Sequence, residues 1–218
     1  MILEPAVESV QTGGNESRIS PFEAKKLVMI SPHFSRDYLK DPTIDKKLAV
    51  FEDRIRYWLI DQAKALASRP HGGMAALVVS FVYFELYAMY YRGEDSNRKS
   101  QEFFVSGFCS VFRLEGTKTG EAKRIAEAMW DRVRCGLYHF GVVKPGVALD
   151  DSIDFFTYAE DQEVDDEYDF YSAGINVRKL IDVIESHFSS YMTRLRDEKE
   201  VDLRNNFLKA WEITHHEG

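Results

Sequence analysis

The feature that most restricts the fold of this chain is an apolar run from Met74 to Tyr91, which contains a single charged residue, Glu85. The run is nearly long enough to cross a bilayer, but a carboxylate near the centre of a membrane is costly. A helix that is apolar on almost every side is typical of the middle of a helical bundle. We therefore predict a buried central helix and no membrane partner.

Amphipathic helices are predicted on both sides of this run, because apolar residues recur there at spacings of three and four. One helix is expected to begin at Asp41-Pro42 and to end near Ser68, and two more are expected over residues 100–114 and 121–139. Short connections between long amphipathic helices favour antiparallel packing. The predicted fold class is all-α, with an antiparallel four-helix bundle as its core.

The N-terminal part of the chain has a different character. Residues 1–19 are polar and aperiodic, so we expect a flexible arm. Ser20-Pro21 is a helix-start signal, and the short helix that it opens should end before Pro32. We predict one domain over residues 20–218, whose core covers about residues 45–197.

The pattern changes again after the bundle, where turn residues precede two aromatic stretches. Residues 153–158 and 168–171 are predicted to be short strands that pair as a β-hairpin, inserted over about residues 150–172. Asn176 is a predicted helix cap. Two further helices are expected over residues 177–196 and 201–214.

The net charge of −8 is unevenly distributed. Ten acidic residues and no Lys or Arg lie between Asp150 and Asp169, so the remaining 198 residues carry a net charge of +2. Neither value requires or excludes a nucleic-acid partner. The acidic segment lacks the glycine and the closing glutamate of an EF-hand loop, so we expect a solvated loop. An alternative is that it covers a basic cleft in place of RNA.

Cysteine usage and missing motifs exclude several function classes. Cys109 and Cys135 have no CxxC spacing, which suits a reducing compartment, and the first fifteen residues have no signal-peptide pattern. We therefore expect a cytoplasmic protein. The sequence has no phosphate-binding glycine loop, GxSxG elbow or HExxH helix, so we predict no cofactor and no metal.

The most informative polar residues lie at the end of the helix predicted over residues 121–139. Arg134 and His139 flank an outward face that includes Asp131, Cys135 and Tyr138 if the helix is regular. For both to reach one substrate, the helix must loosen at the next glycine, or a second copy of the chain must complete the site. Two simpler hypotheses, which involve no function, stay open. The helix dipole favours a histidine at the C-terminal end of a helix, which would account for His139, and Arg134 could form a surface ion pair with Asp131.

Residues 134–139 carry the string Arg-Cys-Gly-Leu-Tyr-His. This string resembles the signature of the HEPN superfamily, the higher-eukaryote and prokaryote nucleotide-binding helical domains, in which His follows Arg by four to six positions. The resemblance extends to Glu85 in the preceding apolar helix and to the segment Ile175–Leu180, which opens another helix. It covers about residues 45–197.

Many members of this family are metal-independent endoribonucleases that act as dimers with a composite cleft. The resemblance implies that His139 activates the RNA 2′-hydroxyl or protonates the leaving oxygen, and that Arg134 neutralises the phosphate. It implies supporting roles for residues near this pair, namely Glu85, Asp131, Cys135 and Tyr138. The implied partners are a second copy, RNA and an antitoxin protein.

The implied biological setting is a prokaryotic toxin, phage-defence or stress effector. Other family members are inactive scaffolds or nucleotide binders, so the alternative is a catalytically inactive interaction or nucleotide-binding module. Cys135 favours this alternative, because the family most often has Asn, Asp or His at that position, and a thiol is a weak hydrogen-bond donor.

Overall fold

Helices make up most of the structure, a computed structural model that describes residues 29–112, 120–154, 156–160 and 170–215. The α-helices are α1 (Ile44–Asp53), α2 (Asp61–Ala67), α3 (Gly73–Arg92), α4 (Ser100–Phe112), α5 (Glu121–Met129), α6 (Gly136–Phe140), α7 (Val177–Arg196) and α8 (Val201–His215). Two π-helical segments interrupt longer helices: π1 (Arg54–Ile60) joins α1 to α2, and π2 (Trp130–Cys135) joins α5 to α6. The fold is thus predominantly α-helical, as predicted.

Helix α3 lies at the centre of the structure and packs against α2, α4, α7 and α8. It corresponds to the predicted central helix and ends at Gly93, whose φ of 69° is favourable for glycine. Of the described helices, α3 alone is long and apolar enough to cross a membrane, and half of its apolar window is buried within the protein. That burial is compatible with a soluble protein.

The contact between α3 and α4 is unusually close at Gly107. A Cβ atom added to this residue would lie 2.0 Å from the backbone carbonyl oxygen of Phe84, so no other residue fits without moving one helix. Aromatic rings surround the contact, and the ring of Phe84 lies edge-on to that of Phe104 at 5.4 Å. Gly107 therefore sets the distance between the two helices.

A small three-stranded sheet follows the helix that carries the Arg/His pair. Its strands are β1 (Val147–Leu149), β2 (Phe156–Glu160) and β3 (Phe170–Ile175), in the order β1-β3-β2. Strand β2 is antiparallel to β3, which confirms the predicted hairpin, but both strands lie a few residues further along the chain than expected. The prediction missed β1, which pairs with β3 in parallel and makes the insertion a sheet.

Helix boundaries agree closely with the sequence patterns, with two corrections. Helix α1 begins after Thr43 instead of at Asp41-Pro42, because the Thr43 hydroxyl accepts the hydrogen bond from the Lys46 backbone N–H that caps the helix. Residues 29–31 are not helical, because Met29 forms an isolated β-bridge with Ser35. Residues 1–28, with the predicted arm and most of the first helix, and residues 161–169 of the acidic segment lie outside the described residues.

Candidate functional site

The helix that carries the Arg/His pair is not regular. Residues Trp130–Cys135 form π2, whose wider turn shifts every following side chain around the helix axis. Single π turns are rare and often occur at functional sites. Loosening at Gly136 was one of the two alternatives for bringing the pair together, and the helix instead widens in the turn before that residue.

Arg134 is held between two aromatic rings. Its guanidinium carbon lies 4.3 Å from the centre of the Trp130 ring and 4.7 Å from that of Tyr138, within the range of cation–π attraction. A terminal nitrogen also lies 3.9 Å from a carboxylate oxygen of Glu85, and a quarter of the side chain is exposed. The guanidinium is thus fixed in position and still accessible from one side.

Glu85 on α3 has two partners. Its carboxylate accepts a hydrogen bond of 2.7 Å from the Ser96 hydroxyl and faces Arg134. Burial raises the pKa of the neighbouring Tyr138 phenol, and the positive charge of Arg134 opposes that effect. Glu85 is therefore a partly buried carboxylate that helps to position Arg134.

The predicted ion pair between Asp131 and Arg134 is wrong. Asp131 instead accepts a hydrogen bond of 2.6 Å from the ammonium group of Lys144. The chain after α6 can return over π2 because Gly136 has no side chain: a Cβ atom there would lie 2.7 Å from the carbonyl oxygen of Val142. Asp131 thus stabilises the returning segment and leaves Arg134 to Glu85.

Within one copy of the chain, no hydrogen bond or ring contact among the described residues joins His139 to Arg134. The imidazole is exposed in the last turn of α6, before Gly141, and no side chain in the described part of the chain hydrogen-bonds to it. Cys135 has a free, partly buried thiol that forms no hydrogen bond among the described residues. The structure therefore brings Glu85 and Tyr138 to Arg134 but leaves His139 and Cys135 outside this cluster.

A cavity of about 470 Å³ opens beside Arg134, and we call it the Arg54 cavity. Its walls come from α1, π1, α3, π2, α6 and the C-terminal end of α8, and they are mainly apolar. The charged, polar and aromatic side chains that line it include Arg54, Trp58, Glu85, Arg134, Tyr138 and His215. His139 does not line this cavity.

Arg54 and His215, which no sequence pattern marked as site residues, meet across 161 positions of sequence. A terminal nitrogen of Arg54 donates to Nε2 of His215, and Nδ1 of His215 donates to the carbonyl oxygen of Trp211 at 2.8 Å. The imidazole also stacks on the Trp211 ring at 3.8 Å. The only sequence signal was that Arg54 follows Phe51 by three residues and so shares its inward face.

His215 is expected to make the stability of the protein depend on pH. Burial and the charge of Arg54 lower the pKa of the His215 imidazole below its usual 6.5, although the Trp211 carbonyl opposes this shift. As the pH falls from about 7 to below 6.5, the unfolded chain therefore takes up more of this proton than the folded chain does, so stability falls as the pH falls. We expect the melting temperature of the wild type to decrease more steeply over this interval than that of His215→Gln.

The control for this pH series is His71→Gln, since His71 is exposed and no described residue hydrogen-bonds to it. Its melting temperature should follow the wild-type curve at each pH. Parallel curves for the wild type and His215→Gln would show that His215 does not carry the pH dependence.

Known proteins add no assignment to this geometry. No protein-family model matches the chain, and the searches of curated proteins and of solved structures returned no match either. In the described ranges, no three His, Cys, Asp or Glu side chains are grouped as metal ligands would be.

Proposed function

We propose that this protein is a metal-independent endoribonuclease of the HEPN type whose active site forms between two copies of the chain. One observation carries the proposal: an exposed imidazole without a hydrogen-bond partner in the described residues ends the same helix that fixes Arg134. An imidazole near neutrality can exchange protons, and a guanidinium fork matches phosphate oxygens. Together, the two groups supply what phosphodiester cleavage requires.

The reaction follows from these two side chains. Neutral His139 takes the proton of the RNA 2′-hydroxyl, whose oxygen attacks the adjacent phosphorus and forms a 2′,3′-cyclic phosphate. The bond from phosphorus to the 5′-oxygen breaks, and that oxygen takes a proton from a protonated imidazole. Arg134 stabilises the negative charge that accumulates on the phosphate oxygens. No step requires a metal or a cofactor.

A second copy can supply the group that one copy lacks. Phe140 and Val142 lie on either side of the turn after His139, and they are 70% and 54% exposed. Exposed apolar side chains of this size are typical of contact surfaces between proteins. In the proposed dimer these residues are covered, and His139 of one copy approaches Arg134 of the other.

The proposal includes the finer fold and the setting that the family implies. The continuous helix α1–π1–α2, α3, α4 and the continuous helix α5–π2–α6 would form the antiparallel four-helix bundle. The protein would act in the cytoplasm, as a toxin, phage-defence or stress effector, with an antitoxin as a second partner if it is a toxin.

The second candidate function is a catalytically inactive interaction or nucleotide-binding module. It is favoured by the partners of Arg134, because two rings and Glu85 already occupy the guanidinium that catalysis would use. In this case Arg134 serves only the fold, and neither the wild type nor Arg134→Ala cleaves RNA.

Mixing two inactive variants tests the shared site. We expect Arg134→Ala and His139→Ala to be inactive alone on mixed RNAs in EDTA, and activity to return when the two are unfolded and refolded together. The mixed dimer contains one site with an intact His139 from one copy and an intact Arg134 from the other. Cleavage is measured on gels, with end-group analysis for the cyclic phosphate.

Each variant refolded by itself is the control for this experiment. If the mixture stays inactive although mixed dimers form, the site is not shared between copies in this way. If the wild type cleaves no RNA in EDTA, the nuclease proposal fails.

A further inference from the structure

We infer that the Arg54 cavity is a binding site for an amphipathic carboxylate, a small molecule with an apolar body and one negative charge. The inference goes beyond the proposed nuclease activity and does not depend on it. It is based on the shape of the cavity, its charge and the exposed apolar side chains at its opening.

The cavity has the size and lining of a small-molecule site. Its volume of about 470 Å³ lies within the range that such sites usually have. Along α3 it extends from Phe81 to Tyr90, which is roughly 14 Å at the rise of an α-helix. Ile55 and Leu86 line the middle of this length, so the body of a ligand would meet apolar walls.

The charge of the cavity selects a monoanion. Arg54 and Arg134 contribute two positive charges, Glu85 contributes one negative charge, and His215 accepts from Arg54 as a neutral ring. The cavity therefore carries one uncompensated positive charge. The two negative charges of a phosphate dianion would exceed this single positive charge and would be repelled by Glu85. The one negative charge of a carboxylate balances it.

Arg54 is the group that would bind the carboxylate. Among the described residues, no carboxylate lies within ion-pair distance of its guanidinium, which contacts the Ile30 carbonyl, His215 and the Trp211 ring instead. Its second terminal nitrogen donates to no acceptor in the described ranges. A partly buried charge without a counter-ion is costly, so an anion that occupies this position is favoured.

Three exposed apolar side chains mark the opening of the cavity. Trp58, Val82 and Tyr138 line it and are 50%, 38% and 46% exposed. A bound apolar body would remove these surfaces from water. Tyr138 also packs on Arg134, and both side chains line the cavity. A ligand here would therefore contact Arg134, the residue that the proposed nuclease uses to stabilise the phosphate.

Calorimetric titration of the full-length protein with octanoate tests the site. We expect saturable binding with one octanoate per chain, at least about tenfold tighter than binding of 1-octanol or octylammonium, because a charged hydrogen bond to Arg54 is lost with either. Equal affinity for octanoate and 1-octanol, or no saturable octanoate binding, would overturn the inference.

Variants locate the site. Arg54→Met should weaken octanoate binding at least about tenfold, and Leu86→Trp should block it by filling the cavity. Arg56→Met is the matched control, since Arg56 belongs to the same helix, pairs with Glu52 and does not line the cavity. Unchanged binding by folded Arg54→Met would overturn the inference. If that variant does not fold, the comparison of octanoate, 1-octanol and octylammonium on the wild type tests the inference instead.

A second copy of the chain is the other candidate occupant of this cavity. Sedimentation of the wild type and Leu86→Trp distinguishes the two cases. If Leu86→Trp dissociates a wild-type dimer and the wild type does not bind octanoate, the cavity is a contact between copies and the inference is wrong.

Discussion

Replacing His139 with alanine is expected to lower RNA cleavage in EDTA at least about a hundredfold, because the reaction loses the group that moves protons. The same change should alter the free energy of unfolding by less than about 0.5 kcal/mol, since the imidazole is exposed and bonded to no described side chain. Loss of activity without loss of stability separates a catalytic role from a structural one. Single-turnover cleavage rates and chemical denaturation measure the two quantities.

The matched control is His71→Ala. His71 is an exposed histidine that is distant in sequence from Arg134 and His139 and does not line the Arg54 cavity. It should cleave RNA at the wild-type rate. Equal rates for His139→Ala and the wild type would show that the cleavage comes from another site or from a contaminating nuclease.

Arg134→Ala distinguishes the proposed nuclease from the inactive module. The guanidinium is one-quarter exposed, and its ion pair with Glu85 is long, so its loss should change stability only modestly. A nuclease loses activity in this variant at a nearly unchanged melting temperature. An inactive module cleaves no RNA before or after the change.

Replacing Gly107 with alanine is expected to destabilise the protein by about 2 to 4 kcal/mol, the largest effect on stability that we predict. The added methyl group would lie 2.0 Å from the carbonyl oxygen of Phe84, which belongs to the backbone of α3 and cannot rotate away. The better helix propensity of alanine recovers only about 1 kcal/mol. The melting temperature should fall by roughly 10 °C for a chain of this size.

Ser106→Ala is the control for this substitution, because Ser106 is the preceding residue of α4 and is only partly buried. Its free energy of unfolding should stay within about 0.5 kcal/mol of the wild type. Denaturation in urea measures both variants. A Gly107→Ala protein as stable as the wild type would mean that α3 and α4 lie further apart than the structure shows.

Local patterns predicted most of the helices, because the burial of one helix face and the capping of its ends depend on residues close together in the sequence. Asn176 illustrates this: its side chain accepts from the Lys179 backbone N–H and caps α7 as predicted. Strand β1 was missed because its three residues become a strand only by pairing with Ala173 and its neighbours, far along the chain.

The candidate site was predictable in its residues but not in its contacts. The string over residues 134–139 identified Arg134 and His139. A projection that assumes a regular α-helix could not predict the directions of their side chains, because π2 changes the rotation per residue. The ion pair expected between Arg134 and Asp131 was a local hypothesis. It failed because Glu85, on another helix, lies closer to the guanidinium.

The sequence by itself determined where the helices lie and which polar residues end the helix of the Arg/His pair, since both follow from patterns along a few turns. Only the tertiary structure decided that Arg134 faces Glu85, that His139 stays exposed, and that Arg54 meets His215 beside an apolar cavity. The physical reason is that packing brings together side chains that are distant in sequence, and their partners depend on how whole helices fit against each other.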